Sequence, residues 1–329
     1  MNKGGVMKKS KVVSLTEAMQ EVHDGDCIAM GAVVEDRRPV AAACELVRQG
    51  KKNLIVLAES SLSEDILVGG GCVSAYRGTY SAIGAFGISP CTKRFAEEGK
   101  VVVDDIGHID VCLGALATMA GAPFIASRTT LGTDVLNPAF DNVAKIRNMA
   151  RNPETLPAKK YVLIEDPFYG MGTVQLHPAM KFDVFINHVQ YAGEEGTVRI
   201  DGSLVFDHFA VHGAKKVIVT AEQVVPEEYL RRDPNRNQIP CTSVDMVVEV
   251  PWGGHPGQVF NFYDMDIPFM TDYINKAKTD EGFKKWADEW IFGVKNHEGY
   301  LNKLGAARLE KLRALPPYGY RPRTKGGAK

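Results

Sequence analysis

The stretch Asp24-Gly25-Asp26-Cys27-Ile28-Ala29-Met30-Gly31-Ala32-Val33, followed after Val34 by Glu35-Asp36-Arg37-Arg38-Pro39, decides how the chain is read. Asp24-Gly25-Asp26 is a turn signal, and Cys27–Met30 is a short apolar run of the kind shown by strands buried on both faces. The run ends at Gly31 and Ala32, whose small side chains leave backbone N–H groups bare, and a helix opens at Pro39. A strand passing through a small-residue loop into a helix start is the beginning of a βαβ unit. Bare amides and helix N-termini favour anions, including carboxylates and thioester oxyanions. Arg37 and Arg38 read either as a bidentate clamp on a substrate carboxylate or as a solvated pair beside a tight turn.

Outward from this loop, the same alternation continues. Upstream, Ser14 and Glu17 form a capping box for a helix with Leu15, Ala18, Met19 and Val22 on one stripe. Downstream, a helix over Pro39–Gln49 ends at Gly50, and Leu54-Ile55-Val56-Leu57-Ala58 is a continuous apolar run. Further strands are expected at Val101–Val103, Phe124–Ala126, Val184–Asn187, Lys216–Thr220 and Met246–Val250, with helices at Ile109–Ala120 and Glu227–Leu230. Thr130–Leu163 has little pattern and reads as surface excursions. Asp264–Leu315 turns helical, with Phe283, Trp286, Trp290 and Phe292 on a stripe to be buried against the sheet or a partner. The expected class is α/β: an open, mainly parallel twisted sheet flanked by helices, Rossmann-like, with a helical C-terminal region. One domain is expected over 11–315, with a flexible N-terminus (1–10) and a flexible tail (316–329).

Composition excludes several functions. The 329 residues carry 39 Lys+Arg against 40 Asp+Glu, a formal net charge of −1, which lacks the electrostatic footprint of a general nucleic-acid binder. No apolar run approaches the roughly 20 residues that cross a bilayer. The first nine residues are charged with no apolar stretch behind them, so no secretory signal is expected. Six cysteines without C-x-x-C spacing read as reduced thiols of a cytoplasmic protein, and eight histidines without ligand spacing argue against a metal. Gly69-Gly70-Gly71 is a flexible turn or a phosphate cradle. His188 and Gln190, after Val184–Asn187, are core or interface polar residues. His255 either lines a cleft or orders its loop. Glu59, at the carboxyl end of the Leu54–Ala58 run, is either a loop carboxylate or, less in keeping with Ser61 beyond it, a nucleophile.

The loop after Cys27–Met30 resembles the signature of family I CoA-transferases, in the branch of the A-type chain of glutaconate CoA-transferase. Collinear runs carry the same resemblance: Gly196-Thr197-Val198-Arg199-Ile200, Arg231-Arg232-Asp233-Pro234 with Ile239-Pro240, and Gly253-Gly254-His255-Pro256-Gly257-Gln258. So do Tyr263-Asp264 with Asp266 and Pro268-Phe269, and Tyr300-Leu301-Asn302-Lys303-Leu304-Gly305-Ala306. Together they span roughly 11–312. The resemblance implies a ping-pong reaction in which a glutamate attacks an acyl-CoA, becomes a glutamyl-CoA thioester and passes CoA to a second carboxylic acid. It implies that the nucleophile lies on a B-type partner in a heterotetramer or heterooctamer, with coenzyme A a substrate and no cofactor permanently bound. It nominates Gly31, Ala32, Arg37, Arg38, Tyr80, Ser81, Gly84, Gly253, Gly254 and His255 as substrate-binding positions, the arginines suiting a dicarboxylate. At the place of Gly84, A-type glutaconate transferases carry a serine near the reacting carboxylates. That departure leaves open an acyl-CoA hydrolase, lyase or decarboxylase on the same scaffold. A non-catalytic sensor chain is a third reading.

Overall fold

The structure, a computed structural model, describes residues 10–32 and 34–322; residues 1–9 and 323–329, most of the two expected flexible ends, lie outside the described residues. The strands are β1 (Cys27–Met30), β2 (Leu54–Ser60), β3 (Val73–Ser81), β4 (Val102–Asp105), β5 (Phe124–Ser127), β6 (Val162–Glu165), β7 (Thr173–Pro178), β8 (Phe182–Gly193), β9 (Val198–Arg199), β10 (Ala214–Val225) and β11 (Met246–Glu249). Seven of them form a parallel sheet in the order β11-β10-β8-β1-β2-β3-β4, with β9 paired antiparallel to β8.

Strand side chains alternate between faces, and both faces are buried. Ile28 and Met30 join Leu54, Val56, Val184 and Ile186 in a core closed by helices Val40–Arg48, Leu62–Gly69, Ile267–Lys276 and Asp280–Ala287. Cys27 and Ala29 join Ile55, Leu57, Phe185 and Val219 in a second core under helices His108–Met119 and Val143–Met149. Coverage of both faces is why the central strands read as unbroken apolar runs.

Three expectations change. Phe124–Ala126 belongs to a separate antiparallel sheet, β5-β7-β6, and not to the parallel one. Phe283 and Trp286 are buried as expected, but Phe292 is 56% exposed, because the π-helical turn Asp288–Phe292 rotates it off the stripe. Residues 316–322, expected as tail, fold back: the Asn261 amide donates to Gly319 O and that of Arg321 to Asp264. The Gly69-Gly70-Gly71 run precedes β3 at the amino edge of the sheet. A Cβ on Gly69 would meet the Phe283 ring at 2.4 Å, so close packing, not a phosphate, accounts for it.

Candidate active site

Successive strands run from β1 to β4 in one direction, and β8, β10 and β11 lie on the other side of β1. A parallel sheet opens a ligand crevice at such a reversal, outside the carboxyl ends of the strands. β1 stops at Met30, opposite Ile186, while β8 continues to Gly193, so the crevice begins at the Gly31–Pro39 loop.

This loop is bent beyond what its residues prefer. Ala32, Val34 and Arg37 have φ of 99°, 46° and 60°, each costing about 1–3 kcal/mol in a non-glycine residue. The two arginines hold it there. Arg37 is fully buried and donates to Asp207 Oδ2 at 2.8 Å, Ser203 O at 2.9 Å and His188 O at 3.1 Å. Asp207 Oδ1 accepts from the Ala32 amide at 2.5 Å. Arg38, also buried, donates to Glu59 Oε2 at 2.8 Å, Glu64 Oε1 at 3.0 Å and Val34 O at 2.8 Å. Neither guanidinium is solvated: the carboxylates they clamp belong to this chain. Gly31 is required by close approach, since a Cβ there would lie 2.4 Å from Asn187 Oδ1 and 2.6 Å from Asp207 Oδ1. The Asn187 amide is itself buried without a hydrogen-bond partner among the described residues.

Glu59 ends β2 as a buried carboxylate, not an exposed loop residue, with Oε2 on Arg38 and Oε1 3.2 Å from His108 Nε2. Beside it, Ser61 and Glu64 form the capping box of helix Leu62–Gly69. The Ser61 hydroxyl also lies 3.0 Å from Glu35 Oε1. Glu35 is 5% exposed; burial pushes its carboxyl up to about 7, and Glu64 and Glu59 add to the rise against the opposing pull of Ser61 and Arg38. Its Oε2 lies over Gly84, where a Cβ would come within 2.4 Å of it. Gly84 has φ +43°, and any larger residue there would displace Glu35. Nearby on the same segment, Tyr80 is 54% exposed, and the Ser81 hydroxyl is buried without a partner among the described residues.

Gly253, Gly254 and His255 come from the turn after β11. A Cβ on Gly253 would strike the His188 ring at 2.6 Å, and the Gly254 amide donates to the Tyr263 hydroxyl at 3.0 Å. His255 is buried between the Tyr300 hydroxyl (2.6 Å) and Asp266 (3.1 Å), so it orders its loop and does not line the crevice. His188 and Gln190 are satisfied core residues, His188 between Thr220 and Glu222 and Gln190 on Asp201 O and Phe260 O. The turn reaches the first loop through backbone bonds, Gln258 N–H to Glu35 O at 3.0 Å and Arg37 N–H to Gln258 O at 2.8 Å. The fold thus gathers Glu59, Ser61, Glu64 and Gly84 around Glu35, while Gly31 and Ala32 pack against Asn187 and Asp207. Glu35, Glu64, His108, Asn187 and Asp207 are not among the candidates that sequence reasoning yields; of these only Glu64 carries a local signal, the Ser-x-x-Glu capping box.

The Gly31 and Ala32 amides, expected to be bare, are instead bonded to Ile186 O and Asp207 Oδ1. The doubly wound parallel sheet with carboxyl groups at its switch point defines an α/β protein with a ligand crevice there. The chain belongs to the coenzyme A transferase family, whose pattern matches residues 12–250. It is similar to the A-type chain of glutaconate CoA-transferase from Acidaminococcus fermentans, at 37% identity over 94% of this chain and 97% of that one. The crystal structure of glutaconate CoA-transferase from that organism superposes with a TM-score of 0.89, covering 95% of this chain and 99% of the other at 36% identity. The A-type chain of 3-oxoadipate CoA-transferase from Pseudomonas knackmussii is 28% identical over 91% of this chain and all of its own. A crystal structure of a variant of the decarboxylase AibA/AibB matches with a TM-score of 0.71 at 26% identity, over 87% of this chain and all of that one.

Proposed function

We propose that this chain is the A-type half of a two-subunit CoA-transferase that moves CoA between an acyl-CoA and a carboxylic or dicarboxylic acid. The observation that carries this reading is the end-to-end similarity to A-type chains of such enzymes, with a crevice whose strand-end glutamate is already committed. Glu59 spends both oxygens on Arg38 and His108, which disfavours it as a nucleophile and supports a nucleophilic glutamate on a B-type partner. In this reading Gly31 and Ala32 contribute loop backbone, and Tyr80, Ser81 and Gly84 line the acid side. Gly253, Gly254 and His255 support the loop from behind. The complex is a heterotetramer or heterooctamer working in the cytoplasm, with CoA as a passing substrate and no resident cofactor.

The test is reconstitution with the B-type partner. The complex is expected to exchange CoA between an acyl-CoA and an added acid, and hydroxylamine is expected to trap a thioester on the partner chain. The isolated chain is expected to be inactive; exchange by it alone would overturn the reading and make Glu59 the nucleophile. A second reading, hydrolysis, C–C cleavage or decarboxylation of an acyl-CoA, is favoured by one specific feature, the Glu35 carboxyl held over Gly84, and by the similarity to a decarboxylase. CoA or CO2 release that needs no acceptor acid would establish it in place of transfer.

A further inference from the structure

The arginine pair commits its terminal nitrogens inside the chain, and only Arg37 Nε, buried 3.9 Å from Asp36 Oδ2, has no hydrogen-bond partner among the described residues. Arg37 is enclosed by Asp207, Ser203 and His188, and Arg38 by Glu59, Glu64 and Val34. A carboxylate entering on the Gly84 side therefore meets no terminal guanidinium nitrogen that is free to take it. We infer that Glu35 is the residue that selects the carboxylate of the acid substrate: as a carboxylic acid its Oε2–H donates to a substrate carboxylate oxygen lying over Gly84, and as a carboxylate it turns that substrate away. The inference rests on the acid substrate of the reading above.

Four observations support it. Glu35 is nineteen-twentieths buried, yet it forms no ion pair with any side chain among the described residues, unlike Glu59 and Glu64 beside it. Its Oε1 faces the Ser61 hydroxyl, which leaves Oε2 as the atom directed at Gly84. Gly84 has no side chain to cover that oxygen, and the flanking Ser81, Ala85 and Gly87 stand on a partly open segment. The charged surroundings favour the acid form: Glu64 on helix Leu62–Gly69 and Glu59 on β2 face it with negative charge. Arg38, on its own loop, is the cation that opposes this, and it is shared with both of those carboxylates. Gly84 packs on the carboxyl itself and Gly257 on the Glu35 backbone carbonyl, and neither glycine carries a charge. A charged acceptor draws the proton more strongly than the neutral Ser61 hydroxyl does, so an incoming carboxylate takes it on Oε2.

The experiment uses the full chain, with glutarate as the probe acid. Glutamate carboxyls are labelled with 13C and followed by NMR against Glu35→Gln, and glutarate affinity is measured by calorimetry from pH 5.5 to 8.5. The expected result is one carboxyl, absent from the E35Q spectrum, that titrates near neutral pH and moves upward when glutarate is bound. Wild-type affinity is expected to fall about tenfold per pH unit once the acid form becomes the minor species, while E35Q, a permanent donor of the same shape, binds with a flat profile. Gly84→Ala, which displaces Oε2 without changing charge, is expected to weaken glutarate binding at every pH. The inference is overturned if Glu35 titrates in the usual range near about 4.3, or if wild type and E35Q lose affinity in parallel, or if neither responds to glutarate. The readouts are titration and binding, so a chain that transfers no CoA still tests the inference. Transfer that persists with an ordinary Glu35 would remove the inference and leave the transferase reading standing.

Discussion

Two corners of the same crevice use buried charge in opposite ways. On the β8 side and under the first loop, Arg37 and Arg38 are matched against Asp207, Glu59 and Glu64, every pair at 2.8–3.0 Å. There the charges hold three residues at positive φ and spend their terminal nitrogens inside the chain. On the Gly84 side, Glu35 is just as buried but forms no ion pair among the described residues, its oxygens lying against a serine hydroxyl and a glycine. The difference teaches that burial alone does not mark a structural charge: what counts is whether the partners are inside the chain. A saturated cluster builds the scaffold, and a half-satisfied group at a strand end waits for something that enters.

Removing the brace should be the most damaging change. Arg38→Ala leaves Glu59 and Glu64 buried without their cation, and loss of about 3–5 kcal/mol is expected in chemical denaturation. An unchanged denaturation midpoint would mean that the two carboxylates find water and that the saturated corner is not what holds the loop.

The Glu35 corner gives a pH signature of opposite sign to that of a paired carboxylate. Its folded pKa, about 7, lies above the unfolded value near about 4.3, so the folded state binds the extra proton between those limits. Stability attributable to Glu35 is therefore greatest below about pH 4 and is lost as pH rises toward 7. Glu35→Gln removes that dependence, and its stability relative to wild type should rise by up to about 3 kcal/mol between pH 4.5 and pH 8. Parallel stability curves for the two proteins would show that Glu35 is paired or solvated after all.

Gly84→Ala sharpens the same corner. A side chain at φ +43° pressed against Glu35 Oε2 should cost about 1–3 kcal/mol, and part of that cost should vanish in a background carrying Glu35→Ala. Additive losses would separate the two residues. The smallest effect is expected behind the loop, where Tyr300→Phe takes one hydroxyl from His255 Nδ1 and should cost about 1 kcal/mol. That variant should leave the glutarate profile of Glu35 unmoved, and a shifted profile would tie the two regions together.

How much is legible follows from the range of the interactions. Strands β1, β2 and β11 announce themselves as apolar runs because helices cover both faces of the sheet. β8 and β10 are each 12 residues long, and the apolar pattern reveals only the inner part of either. Their outer halves carry His188, Gln190 and Glu222, polar residues that a strand tolerates only once they are paired with one another and with Thr220 and Asp201. The antiparallel sheet stays hidden in the sequence because β6 is exposed along its whole length, so no burial pattern marks it.

The order of small residues, arginines and apolar runs, all of it local or periodic, is enough to determine by itself an α/β chain of this family, with a ligand loop after β1 and helices beyond residue 264. The roles of the charged residues are decided only in three dimensions. Arg37 meets Asp207 across 170 positions, and Glu35 meets Gly84 across 49, distances over which no spacing rule operates. An arginine in a loop reads as a hand held out to a substrate until the fold brings a carboxylate to it. A glutamate reads as surface until the fold takes away both its water and its counter-charge.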